Sequence, residues 1–181
     1  MVSTILTILL SYLSNLGIYI IERIFTMSSK FKKILFFVFN LFLYFIPSLI
    51  FRGDNGYYKT LNKAFVPPIV FMIVWPILFI ILSGVNTYFF SHKEKYNHKD
   101  FRMFFILTII NYIFIFLYPL GFFVLQSLFL NYIFTLLTCV TAILITIESL
   151  LLNKKVSLLY IPYILWTIFA SIYSIILYLN N

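Results

Sequence analysis

Charged residues are scarce in this chain. Only 10% of its 181 residues are Asp, Glu, Lys or Arg, whereas 63% are hydrophobic, and its mean hydropathy is +1.05. Soluble domains carry about 25% charged residues. This composition excludes a secreted disulfide scaffold, a disordered chain and a nucleic-acid-binding protein, and it predicts an integral membrane protein.

Cysteine and histidine are also nearly absent. Cys139 is the sole cysteine, so no intrachain disulfide and no CxxC pair is available. His92 and His98 lie in one charged segment, and we interpret them as loop residues and not as metal ligands. We therefore predict no metal site and assign no catalytic residue.

Acidic residues are missing from the apolar runs. Asp54, Glu94 and Asp100 fall between runs, while Glu22 and Glu148 fall near run ends. Ionisable groups inside a membrane span commonly mark proton relays and catalytic sites. Their absence disfavours a proton-coupled pump and an intramembrane protease.

Five long apolar runs divide the chain, and each is long enough to cross a bilayer, which takes about 20 helical residues. Pro119 and Gly121 are the breakers that separate the third run from the fourth. We predict membrane-spanning helices over 34–51, 67–90, 101–120, 124–151 and 157–179. The chain is thus expected to be an all-α integral membrane protein, with one membrane domain over 34–181.

The segment 1–33 precedes this domain. Residues 1–21 are uncharged, and Thr4, Thr7 and Ser11 recur at helical spacing on one face. Three interpretations remain open: an additional span, an interfacial helix, or a start assigned upstream of an initiator at Met27. A basic linker follows.

The basic residues predict an orientation because cytoplasmic loops are enriched in Lys and Arg. With alternating spans, ten basic residues collect on one side and three on the other. The ten are Arg23, Lys30, Lys32, Lys33, Lys93, Lys95, Lys99, Arg102, Lys154 and Lys155; the three are Arg52, Lys59 and Lys63. We expect a bacterial cytoplasmic membrane, with the 91–100 loop inside and both the 52–66 loop and the C-terminus outside.

Aromatic and proline residues recur together in two segments. The first runs from Tyr57-Tyr58 through Pro67-Pro68 to Trp75 and Phe79, and the second runs from Pro162-Tyr163 through Trp166 to Ala170. These segments resemble the first loop with second helix, and the fifth helix, of the TspO/translocator-protein family, known also as tryptophan-rich sensory proteins or peripheral benzodiazepine receptors. The resemblance covers about 34–181.

The resemblance implies a five-helix bundle, often a homodimer, whose pocket below the first loop binds a tetrapyrrole such as protoporphyrin IX. No obligatory cofactor is implied, and the expected partners are the lipid bilayer and this hydrophobic ligand. Some members have been proposed to degrade porphyrin, but we treat catalysis as unproven. Carried over by motif, the ligand-binding residues are Tyr58, Pro67, Pro68, Trp75, Phe79, Tyr163, Trp166 and Ala170.

The chain departs from the family pattern in several places. It has only two tryptophans, Asn111 lies eight residues before Pro119 instead of five, and Ser174 replaces a usual Asn. No Lys or Arg follows Tyr173 or Tyr178, so sterol binding is not supported. The alternatives to a porphyrin-binding receptor are a small multidrug-type transporter and an accessory helical membrane subunit.

Overall fold

Five long helices make up most of the chain in a computed structural model, which describes residues 29–51, 55–62 and 65–181. We name them α1 (Ser29–Ile50), α2 (Pro68–Ser91), α3 (His98–Pro119), α4 (Leu128–Leu152) and α5 (Ile161–Asn180). Each is long and apolar enough to span a membrane, counting the short turns that extend α3 and α5. The described residues contain no strand, so the predicted all-α membrane fold is confirmed.

Short helical turns connect the long helices. The loop between α1 and α2 contains a six-residue helix, Asn55–Thr60, which we call the loop helix. A turn at Lys93–Lys95 joins α2 to α3, and the turns Lys154–Ser157 and Leu158–Tyr160 lead into α5. The predicted N-terminal segment up to residue 28 lies outside the described residues.

The break between the third and fourth helices differs from the prediction. Pro119 and Gly121 do not end the helix, because the chain continues through a π-helical turn, Leu120–Val124. This turn closes with a hydrogen bond of 3.0 Å from the Leu125 amide to the Leu120 carbonyl oxygen. A turn of this kind forms i→i+5 hydrogen bonds and extends an α-helix, so the helical path continues past both Pro119 and Gly121. The connection therefore lies at 125–127.

Residues 37–181 form one compact unit, and the packing described here belongs to it; the other unit is described only from Ser29 to Phe36, the first turns of α1. Small residues recur at helical spacing along α4 and form one stripe: Thr135, Cys139, Ala142, Thr146 and Ser149. This stripe packs inside the unit, with Ala142 and Ser149 fully buried. Small side chains let neighbouring helix backbones approach closely. Large apolar residues such as Leu165 and Ile147 are exposed, as expected for surfaces that face lipid.

Buried asparagines connect the helices. The Nδ2 of Asn111 on α3 donates to Thr141 Oγ1 (2.7 Å) and to the Thr138 carbonyl oxygen (3.0 Å) on α4, while its Oδ1 accepts from the Tyr163 hydroxyl on α5 (2.8 Å). This single side chain therefore joins three helices. Its role is structural, since Asn111, whose spacing from Pro119 departs from the family pattern, does not line the cavity described below.

A second asparagine, Asn86, also joins three parts of the bundle. The Nδ2 of Asn86 on α2 donates to the Tyr44 hydroxyl on α1, and its Oδ1 accepts from the Tyr160 hydroxyl, both at 3.2 Å. In a water-free interior, a polar group without a partner is costly. These contacts therefore favour one arrangement of the helices.

We expect Asn111→Ala to lower the free energy of unfolding by about 1–3 kcal/mol, because it leaves the buried Tyr163 hydroxyl and Thr141 side chain without their partner. Thermal unfolding in detergent micelles measures this loss. The matched control on the same helix is Ile113→Ala, at an exposed position, which should cost no more than about 0.5 kcal/mol. Equal losses in the two variants would contradict a structural role for Asn111.

Candidate functional site

A cavity of about 430 Å³ lies among the five helices, on the side where the loop helix sits. Its volume falls within the range typical of small-molecule sites, about 300–1,000 Å³. Side chains from all five long helices and from the loop helix line it, and none of these described residues carries a charge. The site is therefore suited to a neutral or predominantly apolar molecule.

One wall of the cavity is aromatic and is formed by α1 and α2. The Phe79 ring stacks on Tyr44 at a centroid distance of 5.2 Å and contacts Trp75 at 5.4 Å. Trp75 also contacts Tyr118 of α3 at 6.3 Å. Such ring faces offer a large, rigid apolar surface to a flat ligand.

A second, polar part of the lining, which we call the polar wall, comes from α4 and α5. It presents amide and hydroxyl groups from Asn131, Thr135 and Thr138 on α4 and from Thr167 and Ser174 on α5. All five residues are buried. The cavity thus offers a ligand both aromatic rings and neutral hydrogen-bonding groups.

The loop helix closes the cavity through Tyr58. The Tyr58 hydroxyl donates to the Val66 carbonyl oxygen and accepts from the Tyr173 hydroxyl of α5. Both tyrosines line the cavity. Burial and the bond to Tyr173 raise the pKa of Tyr58, so it remains a neutral hydroxyl at physiological pH.

Two further contacts hold this loop. The Tyr57 hydroxyl donates to the Gln126 carbonyl oxygen in the α3–α4 connection at 2.9 Å. Asn62 and Asn181 exchange two hydrogen bonds, of 2.6 Å from the Asn62 amide to Asn181 Oδ1 and 3.1 Å from Asn181 Nδ2 to the Asn62 carbonyl oxygen. The loop is therefore tied to α5 and to the α3–α4 connection.

Of the eight ligand-binding residues expected from the sequence, five line this cavity. They are Tyr58, Pro68, Trp75, Phe79 and Ala170. Pro67 is exposed at the start of α2. Tyr163 is fully buried and donates to Asn111. These two residues support the helices around the cavity instead of facing it.

Trp166 lies behind the cavity wall. Its ring contacts Trp75 edge-to-face at a centroid distance of 6.2 Å and Phe71 at 5.6 Å. It faces a second, apolar groove of about 400 Å³ between α2 and α5. Its effect on a ligand in the cavity would therefore be indirect, through the position of Trp75.

Sequence reasoning missed the polar wall and the aromatic residues of α1. In the sequence, Thr135 stands out only as a member of the stripe of small residues along α4, and Ser174 only as a departure from the family pattern. Asn131 was not singled out, although an amide within an apolar helix is costly and commonly has a role. Its position in the run 124–151 was the available signal.

Comparison with known proteins matches this arrangement to a family. The model of the TspO/MBR family matches residues 36–179. The chain belongs to the TspO/MBR family. Its five long helices and its loop helix lie within or at the edges of the matched range, and it is an integral membrane protein.

Two bacterial relatives illustrate the similarity. The chain is 30% identical to the tryptophan-rich protein TspO of Bacillus cereus over 159 residues, which cover 86% of this chain and 100% of that protein. It is 26% identical to the uncharacterized membrane protein YtaB of Bacillus subtilis over 140 residues, which cover 76% of this chain and 88% of that protein. The TspO/MBR similarity therefore extends over the whole membrane domain.

We expect Tyr58→Phe and Tyr173→Phe each to loosen the loop, because each removes one hydroxyl of the pair. Backbone amides over 57–62 should exchange hydrogen about 5- to 10-fold faster, which corresponds to about 1 kcal/mol for one buried hydrogen bond. Exchange is read by mass spectrometry of the protein in nanodiscs. Tyr178→Phe, at a more exposed position on α5, serves as the control, and unchanged exchange in both test variants would contradict the closure by this pair.

Proposed function

We propose that this TspO/MBR-family protein is a membrane receptor or translocator that binds a flat, hydrophobic ligand in the cavity between its helices. The observation that carries the proposal is the aromatic wall of Trp75, Phe79 and Tyr44 in an uncharged cavity of about 430 Å³. Flat rings favour a planar partner, because stacking maximises contact area and excludes water. A tetrapyrrole such as protoporphyrin IX has this shape.

The loop supports the same assignment. A hydrophobic ligand is held best where water is excluded, and the Tyr58–Tyr173 pair closes the cavity below the loop helix. Lys59, the next residue of the loop helix, is exposed. Its charge is therefore available to acidic groups that a porphyrin would leave outside the uncharged cavity.

We expect the purified protein to bind protoporphyrin IX and to quench its own tryptophan fluorescence on binding, since Trp75 lines the cavity. The double variant Trp75→Ala with Trp166→Ala should bind about ten-fold more weakly or worse, because it removes both the Trp75 ring that lines the cavity and the Trp166 ring that positions it. Because this variant has no tryptophan, its affinity is measured from the porphyrin absorption band.

The matched control for this experiment is Phe129→Ala, which truncates an exposed aromatic residue on α4 away from the cavity. It should leave porphyrin affinity unchanged. Equal affinity of the wild-type protein and the double tryptophan variant would overturn the assignment of the ligand to this cavity.

The orientation in the membrane is part of the proposal. The ends of α2 and α4 and the starts of α3 and α5 carry Lys93, Lys95, Lys99, Arg102, Lys154 and Lys155. The other end of the described bundle carries Lys59 in the loop helix. The excess of positive charge supports a cytoplasmic location for the α2–α3 connection.

A thiol-labelling experiment tests this orientation. We expect a membrane-impermeant maleimide to label Lys59→Cys in intact cells and Lys95→Cys only after the membrane is opened, since both positions are exposed. The native protein, whose Cys139 is buried, gives the background. Labelling of Lys95→Cys in intact cells would reverse the proposed topology.

A further inference from the structure

A corner of the polar wall contains an amide oxygen that has no partner. Asn131 on α4 is 2% exposed and lines the cavity together with Thr135 and Ser174. Its Nδ2 donates to Ser174 Oγ at 3.2 Å. Its Oδ1 is buried without a hydrogen-bond partner in the described protein, which distinguishes it from the fully engaged side chain of Asn111.

The direction of hydrogen bonding in this corner determines which atom of the amide is left over. The Thr135 hydroxyl donates to the backbone carbonyl oxygen of Asn131 at 2.7 Å, and the Ser174 hydroxyl donates to Thr135 Oγ1 at 3.4 Å. Both hydroxyl protons are thereby used. Ser174 Oγ can then only accept from the amide nitrogen, so the unmatched group is an acceptor and not a donor.

An unmatched carbonyl oxygen in a water-poor interior is unfavourable, and a ligand donor that reaches it should raise affinity about ten-fold, which corresponds to about 1.4 kcal/mol. The torsion that orients an asparagine amide is broad, so a small turn exposes the oxygen to the cavity. The wall offers no charged residue that could compete for this role.

We propose that Asn131 is a specificity-determining residue of the cavity, whose amide oxygen accepts a hydrogen bond from an N–H or O–H group of the bound ligand. This inference rests on the proposed function, because it concerns the same cavity. It narrows the ligand class to flat apolar molecules that carry a hydrogen-bond donor on the side facing α4 and α5.

Three probes test the proposal on the intact protein in detergent micelles. At neutral pH protoporphyrin IX carries ring N–H groups and ionised propionate groups, its dimethyl ester carries the ring N–H groups without the charge, and the nickel(II) complex of that ester carries neither. Affinities are read from tryptophan quenching. We expect the nickel complex to bind the wild-type protein about ten-fold more weakly than the dimethyl ester, because these two probes differ in the ring N–H groups and not in charge.

The variant Asn131→Leu should remove this preference by weakening the donor-bearing probes to the level of the nickel complex. The matched control is Thr146→Val, which removes a threonine hydroxyl from the same helix at a position that does not line the cavity. The Thr146 hydroxyl donates to the Ala142 backbone carbonyl oxygen in its own helix at 2.8 Å, so this variant should keep the full preference.

The outcomes separate hydrogen bonding by the ring N–H from attraction of the propionate charge, and they separate the role of Asn131 from the proposed function. Tight binding of both the free acid and the dimethyl ester assigns the donor to the ring N–H, whereas tight binding of the free acid alone assigns the affinity to the propionate charge and overturns the role of Asn131. Equal affinity of the wild-type protein for all three probes, or a preference retained in Asn131→Leu, overturns the role of Asn131 alone. Failure of all three probes to bind overturns the proposed function together with this inference. The wild-type comparison needs no variant, so it stands even if Asn131→Leu does not fold.

Discussion

Hydrogen bonds from buried asparagine side chains hold the helices of this bundle in place. A bilayer supplies no water to satisfy a buried amide, so each amide must find its partners on neighbouring helices. Asn111 finds them on α4 and α5, and Asn86 finds them on α1 and at the entry to α5. Apolar packing alone would distinguish poorly between alternative rotations of the helices, because lipid is as apolar as leucine. The positions of Trp75, Phe79 and Tyr44 around the cavity therefore depend on these polar contacts.

The cavity follows from the same constraint. Aromatic rings of α1 and α2 and small or hydroxyl-bearing residues of α4 and α5 fill their shared space incompletely, which leaves about 430 Å³. Threonine hydroxyls on α4 donate to carbonyl oxygens within their own helix, so the polar wall is stable without a ligand. Asn131 departs from this pattern, and its amide oxygen is the unmatched group of the cavity wall. The loop helix covers this arrangement through Tyr58 and Tyr173.

Much of the fold could be predicted from the sequence. Scarce charge and long apolar runs indicate spans directly, and the five described helices agree with the five predicted runs. The break predicted after the third span lies too early, because a proline and a glycine normally end a helix, whereas here a π-helical turn continues the helical path past Pro119 and Gly121. Of the eight ligand-binding residues expected from the family motifs, five line the cavity. Pro67, Tyr163 and Trp166 did not reach it, because a motif identifies a helix and a position but not which side of the helix faces the cavity.

The sequence by itself determined that this is a membrane protein, how many long helices it has and that it resembles the TspO/MBR family. These properties depend on composition and on the order of residues along short segments. Only the tertiary structure decided which polar side chains are partners and which asparagine of the cavity wall retains an unmatched oxygen. In the sequence, Asn86, Asn111 and Asn131 are each an asparagine within an apolar run. In the structure, the amide groups of Asn86 and Asn111 are hydrogen-bonded at both nitrogen and oxygen, whereas the oxygen of Asn131 is unmatched. The physical reason is that a hydrogen bond between two helices depends on the distance between them. That distance is determined by the packing of many residues that lie far apart in the chain.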